Sequence, residues 1–439
     1  MNRATTMIKS VKTTTKLYNL LYYLLALLFV LFPFGQLTRL PLPFSPAIRI
    51  YAHDVIMALL IMTWLFQFVR NPKSIKLPPL TNSLLVFAVA GVISLLMNIT
   101  RYPVSELLTG SIYLVRWTAY ASLYVLVYNL AREDKKFTYR LLILLAGAGV
   151  VSAIFGLVQY FLYPNLRNLM YLGWDPHEYR VFGTFFDSGF TGLIYVLTII
   201  LLTWFVIRIA AKRKKSHMHN HYDAIYYLSS IIGWGLAYSA LALTYSRASY
   251  SAFFAGTILL SWLSKSVKTA IIVTVLLTLT VFILPQSSPP SEGTNLARTA
   301  STQARLTNFE QSFKIIKDHP IFGIGFNMLR YENRNRNFVP EYEWEESNAA
   351  AGLDNSFLFI GATTGIVGLI AFLNLIFQII KFAIQQFSQA KPDLAPAILT
   401  LSTLVAILVH SQFNNSLFYP WIMIWLWVLF GVAHVPRRL

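Results

Sequence analysis

Long uninterrupted apolar runs, recurring from residue 18 to residue 435, constrain this chain more than any other feature. Hydrocarbon offers a backbone no hydrogen-bond partner, so a chain that crosses a bilayer must pair its N–H and C=O groups within itself, as helices or as a closed barrel. A helix needs about 20 apolar residues to cross; a barrel shows short alternating strands instead. Runs of helix length fall near 18–34, 52–69, 80–98, 110–131, 139–163, 188–209, 226–245, 248–264, 268–285, 353–382, 396–413 and 416–435. The fold expected is therefore an all-α integral membrane protein with about twelve transmembrane helices, forming a single polytopic domain over 1–439. The composition, 56% hydrophobic and 12% charged, leaves too few charges to clothe a water-soluble body of this size. The first run follows a basic tail, but no small-residue cleavage site follows Val30 in LFPFGQL, so it reads as an uncleaved first helix.

The charges assign a side to each loop. With the N-terminus inside, the inner segments hold Arg3, Lys9, Lys12 and Lys16; Arg70, Lys73 and Lys76; Arg132, Lys135, Lys136 and Arg140; Arg208 and Lys212 to Lys215; Lys265 and Lys268; Lys381 and Lys391; and Arg437 and Arg438. Their acids are only Glu133, Asp134, Asp223 and Asp393, so the net charge of +18 falls on the inner face. This is the positive-inside pattern and puts both termini in the cytoplasm. It also explains the basic balance through topology and anionic lipid, with no nucleic-acid partner. His217, His219 and His221 could bind metal but have no carboxylate cluster beside them, and read as a solvated loop. The chain has no cysteine, which excludes disulfides and thiolate chemistry.

The same alternation leaves a large outer segment, 286–352, between the ninth and tenth spans, and a smaller one at 164–187. Within the large segment, Leu306, Phe309, Phe313 and Ile316 recur at helical spacing, which predicts an amphipathic helix over 301–317 lying on the membrane or against the bundle. Asp318-His319-Pro320 ends it, and Gly323 and Gly325 mark a turn. The charged and aromatic stretch 330–347 reads as a lid or a solvated loop.

Ionisable groups at span ends are costly unless paired or turned toward a cavity. Arg180 precedes the sixth span, Arg247 sits at the tight turn between the seventh and eighth, Arg305 opens the amphipathic helix, and Asp354 and Asn355 start the tenth. On a helix, positions 354, 361, 365 and 368 share a face, so Asp354 would stand above a seam of Gly361, Gly365 and Gly368 that another helix can approach closely. Each residue has a plainer reading: Asp354 as a helix N-cap, Arg247 as a cation snorkelling to lipid phosphate, and Arg180 and Arg305 as loop charges.

Taken together, the segments RVFGTFFDSGFTG, LTYSRAS, RLTNFEQSFKIIKDHPIFGIGFN and DNSFLFIGATTGIVGL resemble the O-antigen ligase and O-antigen polymerase family of bacterial membrane glycosyltransferases, over about residues 170 to 375. In the family's ligase motif a His and a small amide or hydroxyl residue precede nine variable positions and Gly-x-x-Gly. Asp354-Asn355, nine residues and Gly365-x-x-Gly368 reproduce that spacing, with Asp in place of His.

The resemblance implies a glycosyltransferase-C-like fold, whose large extracytoplasmic loop contains short helices, in the bacterial inner membrane. It implies a polyprenyl-pyrophosphate-linked glycan as donor, a lipid or glycan hydroxyl as acceptor, inversion at the anomeric carbon, and neither cofactor nor metal. By motif, Arg247 and Arg305, with Arg180 as a third candidate, would bind the pyrophosphate. Asp354 would be the catalytic base, supported by Asn355, Gly365 and Gly368. A polymerase or protein O-glycosylating enzyme of the same family stays open, as do a glycolipid flippase and an inactive scaffold.

Overall fold

A computed structural model describes residues 2–40, 48–70, 72, 75–215, 221–284, 291–339, 348–389 and 396–435. Lys73, His217, His219, Lys391, Asp393, Arg437, Arg438 and the loop portions 286–290 and 340–347 lie outside the described residues. The helices are α1 Asn2–Leu31, α2 Ala52–Arg70, α3 Thr81–Met97, α4 Val104–Glu133, α5 Lys135–Leu162, α6 Ser188–Lys215, α7 His221–Ala242, α8 Arg247–Leu263, α9 Val267–Ile283, α10 Ala300–Asp318, α11 Leu329–Asn335, α12 Asn348–Ala351, α13 Ser356–Gln389, α14 Pro396–His410 and α15 Pro420–Ala433. The two short strands, β1 Arg39–Leu40 and β2 Ile50–Tyr51, pair antiparallel, with Arg39 opposite Tyr51 and Leu40 opposite Ile50.

A helix covers each of the expected apolar runs. Among the described residues, 6 helical segments are long and apolar enough to cross a membrane: Leu17–Thr38, Ala52–Arg70, Lys136–Leu162, Ser188–Arg213, His221–Ala242 and Ser356–Phe387. Helices α3, α9, α14 and α15 are apolar but shorter. The exposed faces are as informative as the core. Helix α9 buries Val273 and presents Ile271, Ile272, Val275, Leu279 and Phe282 outward, and α3 presents Leu85, Val89, Val92 and Leu96. Apolar surface on this scale is stable in lipid and not in water. Helices α6, α14 and α15 are buried on nearly all sides and form the centre of the bundle, where α14 packs on α8 and α6, and α15 packs on α4.

The one charge set deep in a predicted span, Arg116 on α4, is neutralised inside the protein. Its Nε and Nη2 donate to the two carboxylate oxygens of Asp54 on α2 at 2.9 Å each, and the hydroxyl of Tyr120 donates to Asp54 at 2.6 Å. A charge so paired is tolerated at membrane depth.

Two expectations need correction. Asp354 is not on the tenth-span helix, because α13 begins at Ser356. Nor is that helix continuous. Gly365 breaks it with φ 63° and ψ −165°, a backbone region that only glycine adopts readily. What comes close at Gly365 is the turn segment after α10, not a helix. Ile324 and Gly325 N–H donate to the carbonyls of Ala362 and Thr363 at 3.0 Å, and Ile366 and Val367 N–H donate to Pro320 and Ile321 at 2.8 and 3.3 Å. The backbone groups freed by the break are thereby paired again, as burial requires. Gly323, with φ 65°, sits so close that a Cβ would lie 2.6 Å from the Ala362 carbonyl oxygen.

The stretch after that pairing is also not a solvated loop. Helix α11 buries Arg330, Tyr331, Glu332 and Asn333. Glu332 pairs with Arg101 at 2.7 Å and accepts from the Tyr102 hydroxyl at 2.8 Å, while Arg334 pairs with Glu106 at 2.8 Å.

Replacing Gly365 by Ala forces a side chain to within 2.2 Å of the Ile321 carbonyl oxygen. The left-handed backbone alone costs about 1–2 kcal/mol, so thermal unfolding of the detergent-solubilised Gly365→Ala protein is expected well below wild type. Gly235→Ala on α7, where a Cβ meets nothing within 4 Å, is the control and should unfold at or slightly above wild type.

Candidate functional site

The starts of α6, α8 and α13 and the end of α14 meet at one end of the bundle, and buried polar contacts hold them there. Ser246 caps α8 by accepting from the Ser249 N–H at 3.3 Å. The Ser249 hydroxyl lies 3.1 Å from the Gly189 carbonyl on α6 and 3.3 Å from His410 Nε2 on α14, and His410 Nδ1 lies 2.6 Å from Ser416 Oγ. The Ser356 N–H at the start of α13 donates to the Ser411 carbonyl at 2.9 Å.

A cavity of about 220 Å³ opens at this junction. It is lined by Arg180, Arg247, Arg305 and Asp354, so the structure brings together all the charged residues singled out from sequence. It adds Arg298, Asp175, His177, Asp187 and Asn414, which the sequence reading missed. Asp187 lies inside RVFGTFFDSGF, and Arg298 lies just before α10, the helix that carries Arg305. Asn414, beyond α14, offers no sequence signal of its own.

Helix α10 explains how Arg305 arrives. The amphipathic pattern left the helix either on the membrane or against the bundle; Leu306 and Phe313 of its apolar stripe are exposed, and Phe309 and Ile316 are half-buried. The inward face instead carries Arg305, Asn308, Ser312 and Ile315, of which Ser312 and Ile315 are fully buried. Asn308 Oδ1 accepts from the Asp354 N–H at 3.1 Å, which ties this face to the start of α13. Leu306 and Phe313 are exposed on α10.

Among the described residues none of the four arginines forms a salt bridge, although Asp175, Asp187 and Asp354 line the same cavity. Arg247 donates to the carbonyl of Arg298 at 3.2 Å and to Ser301 and Thr302 hydroxyls at 2.9 and 3.1 Å, fastening α8 to the start of α10. It is thus turned into the protein and does not snorkel to lipid. Arg298 donates to the carbonyls of Asn295 and Tyr245, both at 3.1 Å. The Nε atoms of Arg180 and Arg305 are buried with no hydrogen-bond partner. Burial, together with the repulsion of Arg180, Arg247 and Arg305, pushes the Arg298 guanidinium down to about 10. These half-buried arginines repel one another, Asp175, Asp187 and Asp354 in the same cavity offset them in part, and a bound anion would relieve the remainder.

On the acidic side, the Nδ1 of His177 touches Arg180 and its Nε2 lies 3.9 Å from Asp187. Burial raises the Asp187 carboxyl, but His177, the Phe190 N–H and Arg180 outweigh it and hold it below the usual range. Burial and Arg180 push His177 down, and Asp187 opposes them. Asp175, His177 and Asp187 each bring a ligand atom within 4.8 Å of the others, a spacing that can hold a metal ion.

Asp354 differs from these. The helix cap it offered in sequence is made by its neighbour: Asn355 Oδ1 accepts from the Phe357 and Leu358 N–H groups at 2.8 and 3.0 Å. The Asp354 carboxyl is left free of that duty. Burial, with Asp175 and Asp187 adding to it and Arg305 opposing, pushes it up to about 6. Between the ordinary carboxylate range and about 6 the folded chain therefore holds a proton that the unfolded chain releases. Difference infrared titration should show a carboxylic acid band that disappears with a midpoint near pH 6 and is missing in Asp354→Asn; a midpoint near 4, the unperturbed carboxylate value, would contradict this environment.

Residues 231–373 match the family described as O-antigen ligase, a range that includes Arg247, Arg298, Arg305 and Asp354 and stops short of Asn414. No curated protein matches the chain.

Proposed function

We propose that this chain, whose residues 231–373 belong to the O-antigen ligase family, is a multi-pass membrane glycosyltransferase of polysaccharide biosynthesis that moves a glycan from a polyprenyl-pyrophosphate carrier to an acceptor hydroxyl. The observation that carries this reading is the meeting, in one cavity, of four arginines that form no salt bridge among the described residues with one carboxyl raised to about 6. The reaction needs both. The bond from the anomeric carbon to phosphate breaks and pyrophosphate leaves with growing negative charge, which Arg180, Arg298 and Arg305 would receive while Arg247 holds their loops. Guanidinium suits this role, being permanently charged and able to grip phosphate bidentately. The acceptor oxygen attacks from the opposite side, and its proton passes to Asp354. In-line attack inverts the anomeric centre.

The charge pattern supports about twelve spans, with both termini in the cytoplasm and this cavity at the outer face of the inner membrane. Its lining residues lie in connections and in the first two turns of helices, which favours transfer at a membrane face over transport through the midplane. The arginines supply the positive charge that a metal would otherwise bring, so transfer is proposed to be metal-independent. Activity should survive EDTA. Loss restored by Mg²⁺ or Mn²⁺ would instead give Asp175, His177 and Asp187 the ligand role.

With purified lipid-linked donor and product mass spectrometry, Arg247→Ala, Arg305→Ala and Asp354→Ala should each lose about 100-fold or more of transfer while still inserting as wild type. Arg305→Lys should be strongly impaired, because a point charge lacks the guanidinium fork. Wild-type transfer by Asp354→Ala would sink the base assignment. The rate should rise with pH through about 6 as Asp354 ionises, and Asp187→Asn, which removes a neighbouring negative charge, should move that limb to lower pH. Chain growth in the product marks a polymerase; a single glycan on a new acceptor marks a ligase.

A further inference from the structure

A second cavity, of about 140 Å³, adjoins the first and has a different chemistry. Consecutive residues join them, since Asn414 lines the first and Asn415 the second. Trp117, Phe326, Phe359 and Phe418 give the second cavity aromatic walls, and Asn327 and Asn415 give it amides. Arg116 also reaches it, but that charge is spent on Asp54 at 2.9 Å and on the Arg49 carbonyl at 3.3 Å. The first cavity therefore suits an anion and the second a neutral ligand.

We infer that the second cavity binds a neutral sugar ring of the acceptor and holds its hydroxyl toward Asp354. This rests on the transferase reading above. A pyranose has an apolar C–H face and a rim of hydroxyls, and it fits aromatic walls carrying a few placed amides. Two polar atoms at the junction lack partners: Asn415 Oδ1 and Asn414 Nδ2 are buried without hydrogen bonds. Leaving such groups unmet is costly, and sugar hydroxyls can serve both as donor and as acceptor. Asn327 is held at φ 59°, a conformation uncommon outside glycine, at the cavity wall. An isoprenoid tail would satisfy none of these amides. The acceptor, rather than the donor glycan, is indicated by position. Phe359 follows Asp354 into α13 and Asn415 follows Asn414, whereas Arg180, Arg298 and Arg305 come from the loops and helix that would hold the leaving pyrophosphate.

The chain contains no cysteine, so single thiols can report on each cavity. Asn415→Cys probes the second cavity, Asn327→Cys serves as its duplicate should the first not fold, and Ala304→Cys probes the first. Each is labelled with a water-soluble maleimide in nanodiscs, in the presence of bare undecaprenyl pyrophosphate, of the glycan-bearing carrier, or of lipid-free oligosaccharide from the host's surface glycolipid. Bare carrier is expected to protect Ala304→Cys and leave Asn415→Cys reactive. The lipid-free oligosaccharide is expected to slow labelling of Asn415→Cys about tenfold when present at about ten times its dissociation constant. Protection of Asn415→Cys by the bare carrier would make the cavity a tail site and overturn the inference. Protection only by the glycan-bearing carrier would give the sugar to the donor and overturn the acceptor assignment, and protection by nothing would remove the sugar altogether. If bare carrier fails to protect Ala304→Cys, the transferase reading itself fails.

Discussion

Every buried N–H and C=O in this molecule must find a partner, and the break in α13 is where that demand shapes the functional end. A helix interrupted at Gly365 frees carbonyls at Ala362 and Thr363 and N–H groups at Ile366 and Val367. Lipid cannot satisfy them, so protein must. The turn segment from Pro320 to Gly325 does so, and Ser94 and Asn98 on α3 and its end hold the same segment from the other side, at 2.7 Å to the Phe322 carbonyl and 3.0 Å to the Gly323 carbonyl. Because that segment continues directly from α10, the pairing also anchors the C-terminal end of the helix that carries Arg305.

The second organising force is electrostatic. Arg180, Arg247, Arg298 and Arg305 come from separate connections and helix starts, and among the described residues none forms a salt bridge, although Asp175, Asp187 and Asp354 line the same cavity. Backbone carbonyls and hydroxyls hold Arg247 and Arg298 in place without neutralising them. A fixed positive cavity of this kind binds anions without reorganising, which is how preorganised sites stabilise developing charge. The same positive field restrains Asp354, whose carboxyl is raised by burial and pulled back by Arg305, so that it changes protonation near the range where a general base is useful.

Arg116 marks the contrast. It too is an arginine inside the bundle, but Asp54 takes both ends of its guanidinium, and Tyr120 shares the carboxylate. Among the described residues, arginines turned into the bundle thus include one in a salt bridge, Arg116, and the four around the cavity that form none. The division also separates the two neighbouring cavities by chemistry.

The sequence by itself determined the helices, their apolar outward faces and the residues Arg180, Arg247, Arg305 and Asp354 that converge on one cavity. It could do so because lipid imposes a length and a composition on each span, and because an unpaired charge beside such a span is conspicuous. Only the tertiary structure decided what depends on contacts distant along the chain. Asn355 takes the helix cap and frees Asp354; Gly365 breaks the helix that the glycine spacing suggested was whole; and α10 turns Arg305 inward while Leu306 and Phe313 stay exposed. Arg298, His177, Asp187 and Asn414 join the site through folding alone. Periodicity reports which face of a helix is apolar, but which face is buried is set by the partner it meets. Here that partner is a polar cavity.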